Sequence, residues 1–277
     1  MLKKSTHRLG ILLIGLGVMV VCLYGIIKRY AWCPTKNVAT QKVQASLGAL
    51  KHLACIMDGN RRWAKQNGLV PWYGHRQGIE ALKLAVQFCV DKQIPYLSLY
   101  TFSLENFKRS EQENSYLFDL ILQEAEGSLQ EFKNNNVRIR FIGDRSYFPE
   151  RVATVLEALE TETAQATGLT INLLFCYGGR QEIVAGIKQM VTDAKANRLK
   201  VDDINEQLVK EYLWLGDCPD PDLIIRTGGY KRLSNFLLYQ SAYTELYFLD
   251  CLWPELTRDE LEEAVVYYEQ CQKNFGK

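Results

Sequence analysis

From residue 53 to residue 248, short apolar runs alternate with longer segments whose apolar residues recur at helical spacing. The runs are LACIM (53–57), YLSLYTF (96–102), VRIRFIG (137–143), LTINLLF (169–175), DLIIR (222–226) and TELYF (244–248). Helical segments separate them at 75–92, where Ile79, Leu82, Ala85, Val86, Cys89 and Val90 share a face, at 111–133 and at 180–198. Pro149 opens a further helix that Gly168 closes, residues 203–214 give a short one, and Thr257 caps a last one reaching Lys273. Apolar strands separated by helices pair in parallel and are covered on both faces. The pattern therefore predicts an α/β fold, a central, mostly parallel sheet flanked by helices. Ligands in such folds bind beyond the carboxyl ends of the strands, so the residues that follow each run are the candidates.

The first run hands over to Asp58-Gly59-Asn60-Arg61-Arg62-Trp63. Gly59 lets the backbone turn and approach a ligand, and amides at a strand-to-helix turn attract anions, an effect two arginines strengthen. A carboxylate repels phosphate unless a divalent cation lies between them, and Mg2+ takes few carboxylates plus phosphate oxygens. A D-G-N turn with solvated arginines is the plain alternative. The second run delivers Ser103-Leu104-Glu105-Asn106-Phe107-Lys108-Arg109, which also reads as a capped helix start. DLIIR delivers Arg226-Thr227-Gly228-Gly229-Tyr230-Lys231-Arg232-Leu233-Ser234, two glycines and three cations behind a buried strand, in no Walker pattern. Tyr177-Gly178-Gly179-Arg180 is a fourth, weaker case, for which a turn is the plain alternative. Three arginine-bearing strand ends, one with a metal-competent acid, point to two phosphate groups in one cleft.

Charge placement excludes other classes. Of 33 Lys and Arg against 32 Asp and Glu, seven bases and no acid fall within residues 1–50, which leaves the rest at a net −6. An acidic body is a poor nucleic-acid binder. Eight cysteines form no C-x-x-C pair, and three histidines complete no zinc spacing, which fits a reduced, cytoplasmic body. Residues 9–27 carry no charge and are flanked by Lys3, Lys4, Arg8, Lys28 and Arg29. As a helix this run spans about 28 Å, close to a bilayer core. The sequence thus predicts an N-terminal transmembrane anchor within residues 1–30, a linker at 31–50 and a catalytic domain at 51–277.

The stretches HLACIMDGNRRWAK, YGHRQG, LYTFSLENFKRS, NLLFCYGGRQEI and LIIRTGGYKRLSNFLLYQSAYTELYF resemble, in order, the motifs of the cis-prenyltransferases, of the bacterial undecaprenyl diphosphate synthase type. The resemblance implies a homodimer with a hydrophobic tunnel. It implies addition of isopentenyl diphosphate to an allylic diphosphate, usually farnesyl diphosphate, with new double bonds in cis. By motif, Asp58 resembles the Mg2+-binding catalytic aspartate. Gly59, Asn60, Arg61 and Arg62 would hold the allylic diphosphate, with Trp63 and His75 nearby. Ser103, Leu104, Glu105, Asn106, Phe107 and Arg109 fall on the loop that organises both substrates, with Asn106 as a catalytic candidate. Arg226, Arg232, Leu233 and Ser234 would bind isopentenyl diphosphate, and Glu245 matches an acid that helps hold the metal.

Three positions depart from the family pattern. Pro71 and Asn274 stand where many members carry arginine, and Phe107 replaces a common tryptophan. The anchor together with the two missing arginines raises a rival reading, a non-catalytic membrane-anchored partner subunit. Retention of Asp58, Arg226, Arg232, Ser234 and Glu245 opposes it. Against a phosphatase, the chain offers no candidate nucleophile at the strand ends, and against a trans-type prenyltransferase it has no D-D-x-x-D pair and is not all helical.

Overall fold

The computed structural model describes residues 49–271. Six strands, β1 (His52–Ile56), β2 (Tyr96–Ser103), β3 (Val137–Ile142), β4 (Leu169–Tyr177), β5 (Leu223–Arg226) and β6 (Glu245–Phe248), form one sheet. Its order is β3-β4-β2-β1-β5-β6, and every neighbouring pair is parallel. The helices among the described residues are α1 (Asn60–Gln66), α2 (Tyr73–Asp91), α3 (Glu111–Asn134), α4 (Glu150–Thr163), α5 (Gly179–Lys195), α6 (Glu206–Glu211) and α7 (Arg258–Gln270). The α/β class expected from the alternation is the one observed.

Side chains alternate across the strands, and each face meets its own core. Leu53 and Cys55 of β1, with Leu223 and Ile225 of β5, join Phe88, Phe102 and Phe175 on one face. Ala54, Ile56 and Ile224 join Leu174, Phe236 and Leu237 on the other. Burying both faces is why these strands read as unbroken apolar runs. A polar seam crosses the second face. His52 Nδ1 lies 2.7 Å from Pro219 O, so it carries the proton, and Nε2 accepts from Ser98 Oγ at 2.7 Å. Asn172 Nδ2 then donates to Ser98 Oγ at 3.2 Å. Burial drops the His52 pKa to about 4, so the ring is neutral.

Several element ends differ from the sequence expectation. α4 stops at Thr163 rather than running to Gly168, and the Thr163 hydroxyl accepts from Ile139 N of edge strand β3 at 3.1 Å. Glu160 accepts from Phe141 N at 2.7 Å, so two outward amides of that edge are capped. The helix expected at 203–214 is only the six residues of α6, capped by Asn205, and α7 ends at Gln270 rather than Lys273. α1 was not expected as an element, since NRRWAKQ has no apolar period to reveal it. The anchor at 9–27 lies outside the described residues, as do the linker as far as residue 48 and Asn274. Among the described residues no helix is long and apolar enough to cross a membrane.

Candidate active site

Strand order decides which strand ends meet. β1 lies between β2 and β5, so the segments after Ile56, Ser103 and Arg226 are neighbours at one edge of the sheet. Asp58 stands at the centre. Its Oδ1 lies 3.3 Å from Arg62 Nη2, and its Oδ2 lies 2.8 Å from Arg226 Nη2. The backbone around it is pinned from two directions. Thr227 Oγ1 accepts from Asp58 N at 3.1 Å and donates to Asp58 O at 2.7 Å, while Trp253 N donates to Asp58 O at 3.0 Å.

Gly59 follows with φ +116°, a conformation that L side chains rarely adopt, and a Cβ there would meet Leu252 Cα at 2.9 Å. That turn starts α1 and sends Asn60, Arg61, Arg62 and Trp63 onto one short helix beside Asp58. Gly228, at φ +85°, lets the third segment run against Arg62, where a Cβ would collide with its Nη2.

In that third segment Arg226 is 3% exposed. Its Nη1 donates to Ser234 Oγ at 2.8 Å and to Arg232 O, while its buried Nε has no hydrogen-bond partner. Arg232 Nε approaches the same hydroxyl at 3.3 Å. The guanidinium carbons of Arg62 and Arg232 lie 4.8 and 4.3 Å from the centroid of the Tyr230 ring. One aromatic side chain thus holds an arginine from each of two strand ends. Leu233 faces inward against the core on the second face of the sheet.

The segment after β2 is a 3-10 turn, Leu104–Lys108, capped by Ser103. Asn106 Oδ1 accepts from Ser103 N at 3.1 Å, so this amide shapes the turn. Phe107 is partly exposed and packs edge-on against Phe102 at 5.0 Å. Glu105 accepts from Asn235 Nδ2 at 2.9 Å. Asn235 Oδ1 in turn accepts from Arg180 N at 2.9 Å, and Asn235 O accepts from Gly179 N at 2.7 Å. This one asparagine ties the ends of β2, β4 and β5 together, and the Gly178-Gly179 turn acts there as a brace.

Arg109 and His75 lie on the α3 side of the site, where both approach Glu113. Burial, and then the charges of Arg109 and Arg61, drop the His75 pKa to about 3. The neutral ring therefore makes no ion pair with Glu113.

Glu245 is the exception. It opens β6 and pairs in register with Leu223, the first residue of β5, whereas Phe248 pairs with Arg226. Three residue steps, about 10 Å, separate it from the strand end where Asp58 lies. Within one chain the expected metal pair Asp58 and Glu245 is therefore not brought together. The acid that β6 delivers at the correct end is Asp250, whose Oδ1 lies beside Gly229. Sequence reasoning also passed over Thr227, Tyr230, Asn235 and Glu113. The first two stood inside a stretch already flagged for its charge.

Comparison with known proteins agrees with this geometry. The family model "Putative undecaprenyl diphosphate synthase" matches residues 56–276. An isoprenyl transferase of Clostridium perfringens is 44% identical over 227 residues, 82% of this chain and 89% of the relative. The crystal structure of lavandulyl diphosphate synthase from Lavandula x intermedia, in complex with dimethylallyl diphosphate, superposes with a TM-score of 0.80 at 30% identity, covering 83% of this chain and 99% of that one. A probable undecaprenyl diphosphate synthase from Campylobacter jejuni gives a TM-score of 0.70 at 35% identity, covering 83% and 100%. The fold, the order of the motifs and the strand-end cluster place the chain in one group: it belongs to the undecaprenyl diphosphate synthase family of cis-prenyltransferases.

Proposed function

We propose that the chain joins isopentenyl diphosphate to an allylic diphosphate, farnesyl diphosphate in the first instance, and repeats the step to make a long cis-polyprenyl diphosphate. The observation that carries this reading is the Asp58 carboxylate between Arg62 and Arg226, which come from two different strand ends. Arg62 and Arg61, with the first amides of α1, face one diphosphate. Arg226, Arg232 and Ser234 face the other, and the partnerless Nε of Arg226 is a buried donor available to it. As the allylic C–O bond breaks, charge grows on the departing pyrophosphate, and fixed cations stabilise that growth more than the ground state. The double bond of isopentenyl diphosphate forms the new C–C bond, and a proton then leaves the adjacent carbon. Asn106 is a poor base whose carbonyl is already engaged. Its role is to shape the turn, and a diphosphate oxygen takes the proton.

The donor set fits Mg2+. Among the described residues no three His, Cys, Asp or Glu side chains cluster, whereas Asp58 stands alone amid phosphate-binding arginines. One carboxylate completed by diphosphate oxygens is the usual way Mg2+ is held. Bound there, Mg2+ would offset the charge of the diphosphates, with Asp58 as its protein ligand. Two finer points belong to the proposal. Val184, Ile187 and Val191 leave an apolar stripe about half exposed along α5, which supports a homodimer. The uncharged run at 9–27 supports anchoring at a membrane, with the catalytic body on the cytoplasmic side.

The test supplies the chain with labelled isopentenyl diphosphate, farnesyl diphosphate and Mg2+ and sizes the extracted lipid. Long products that need Mg2+ and vanish in Asp58→Ala establish the reaction. Folded protein that makes none supports the partner-subunit reading instead.

A further inference from the structure

Glu113 is the third residue of α3 and is 2% exposed. Its backbone N–H donates to Ser110 Oγ at 3.3 Å, so the start of the helix fixes its place. Basic side chains from three other segments converge on its Oε1. Arg109 Nη1 lies 3.3 Å away, Arg61 Nε 3.7 Å and His75 Nε2 3.9 Å. Because His75 is neutral, the two arginines alone balance the carboxylate.

None of these contacts has hydrogen-bond geometry. Glu113 Oε1 and His75 Nε2 are buried without a hydrogen-bond partner, and so are Asn60 Oδ1 and Asn114 Oδ1. Buried polar atoms are normally bonded, so two orphans 3.9 Å apart, Glu113 Oε1 and His75 Nε2, mark a place built for more than packing. A guanidinium has five N–H donors, and facing Glu113 with one edge leaves the others for an anion. Arg61 remains 53% exposed and Arg109 23%, so both side chains run from the buried acid toward solvent.

We propose that Glu113 is a positioning residue. It holds Arg61 and Arg109 from beneath, on the side of the first strand end, so that their free donors meet the allylic diphosphate. The identity of that anion rests on the proposed function; the arrangement of the arginines does not. Arg226 and Arg232 have other partners, so the isopentenyl diphosphate side is independent of Glu113.

The experiment compares wild type with Glu113→Gln, which keeps the shape and removes the charge. Glu182→Gln serves as control, since Glu182 is equally buried but bonded to Tyr177 and Gln240 rather than to arginine. We expect Glu113→Gln to raise KM for farnesyl diphosphate tenfold or more and leave KM for isopentenyl diphosphate within twofold. In calorimetry, farnesyl diphosphate alone should bind correspondingly more weakly. Glu182→Gln should lower the melting temperature without that split. Should Glu113→Gln fail to fold, Glu113→Asp keeps the charge, withdraws it by one methylene and should give the same split at smaller size. Equal changes in both KM values, no change, or tighter binding of farnesyl diphosphate would overturn the proposal; tighter binding would make Glu113 a competitor of the substrate. If wild type forms no prenyl product, the proposed function fails by itself, and the same comparison with inorganic pyrophosphate still decides whether Glu113 positions the two arginines.

Discussion

Arg226 Nη2 lies 2.8 Å from Asp58 Oδ2, and through that contact two strand ends 168 residues apart in sequence share a charge. The pair is uneven. The Arg226 side chain is 4% exposed and Asp58 27%, so the arginine is the fixed member and the carboxylate the one that reaches the cleft.

Asp58→Asn is therefore expected to fold, since an amide still accepts from Arg226, and to lose kcat by about 100-fold or more. Steady-state kinetics across a Mg2+ titration check this. A variant with near wild-type kcat and the same Mg2+ dependence would remove Asp58 from the reaction.

Tyr230 separates two roles in one side chain. Tyr230→Phe keeps the ring that faces Arg62 and Arg232 and should leave both KM values within about twofold. Tyr230→Leu removes two cation–π contacts, one for each diphosphate and each worth about 0.5–1 kcal/mol at an exposed site, and should raise each KM about two- to fivefold. If the leucine variant matches wild type, the ring does not organise the arginines.

Gly59→Ala combines a backbone that L residues avoid with a Cβ that meets Leu252. We expect a loss of about 2 kcal/mol or more in unfolding free energy, together with weaker binding of the allylic diphosphate as α1 shifts. Urea unfolding measures the first effect and calorimetry the second. An unaffected variant would show that this turn tolerates a side chain.

Acid should weaken the fold through its buried histidines. The pKa values of His52 and His75 are lowered by burial to about 4 and about 3. Between those values and an unfolded pKa of about 6.5, the unfolded chain binds protons that the folded chain refuses. Their stability is thus complete above pH 6.5 and lost as pH falls below it. At pH 5.5 each costs about 1.4 kcal/mol. Urea midpoints at pH 7.5 and 5.5 test this, and equal midpoints would contradict it.

Ile187→Glu places a charge in the middle of the apolar stripe of α5. We expect the variant to sediment as a monomer at concentrations where wild type is a dimer. A dimer that survives this substitution must be built on another face.

The sequence disclosed the layers and three of the strand ends, because both rest on local signals: apolar runs, glycines and clustered cations. It did not disclose that β5 lies against β1, since nothing local in LIIR points to a partner about 170 residues earlier. Glu113 was hidden by its own setting. Ser110 and Glu113 have the spacing of a capping box, so the acid reads as a helix cap, whereas its side chain turns inward to the arginines. Glu245 is the opposite case. It follows a motif rich in site residues, yet a parallel register places it at the far end of the sheet. Asn235 had no signal beyond following Ser234, and its role depends on contacts with Glu105 and Arg180 that only the folded chain makes.

The placement of β1 between β2 and β5 also bears on how the chain is made. A ribosome adds about 5–20 residues per second, so Arg226 emerges on the order of ten seconds or more after Asp58. Until then β1 has one neighbour and one open edge, and its carboxylate has no guanidinium from β5. The growing chain carries an apolar strand with unpaired amides through most of its synthesis, the state in which nascent chains are most prone to pair with one another. The strand that leads into the catalytic centre therefore waits for its second neighbour through most of the chain's synthesis.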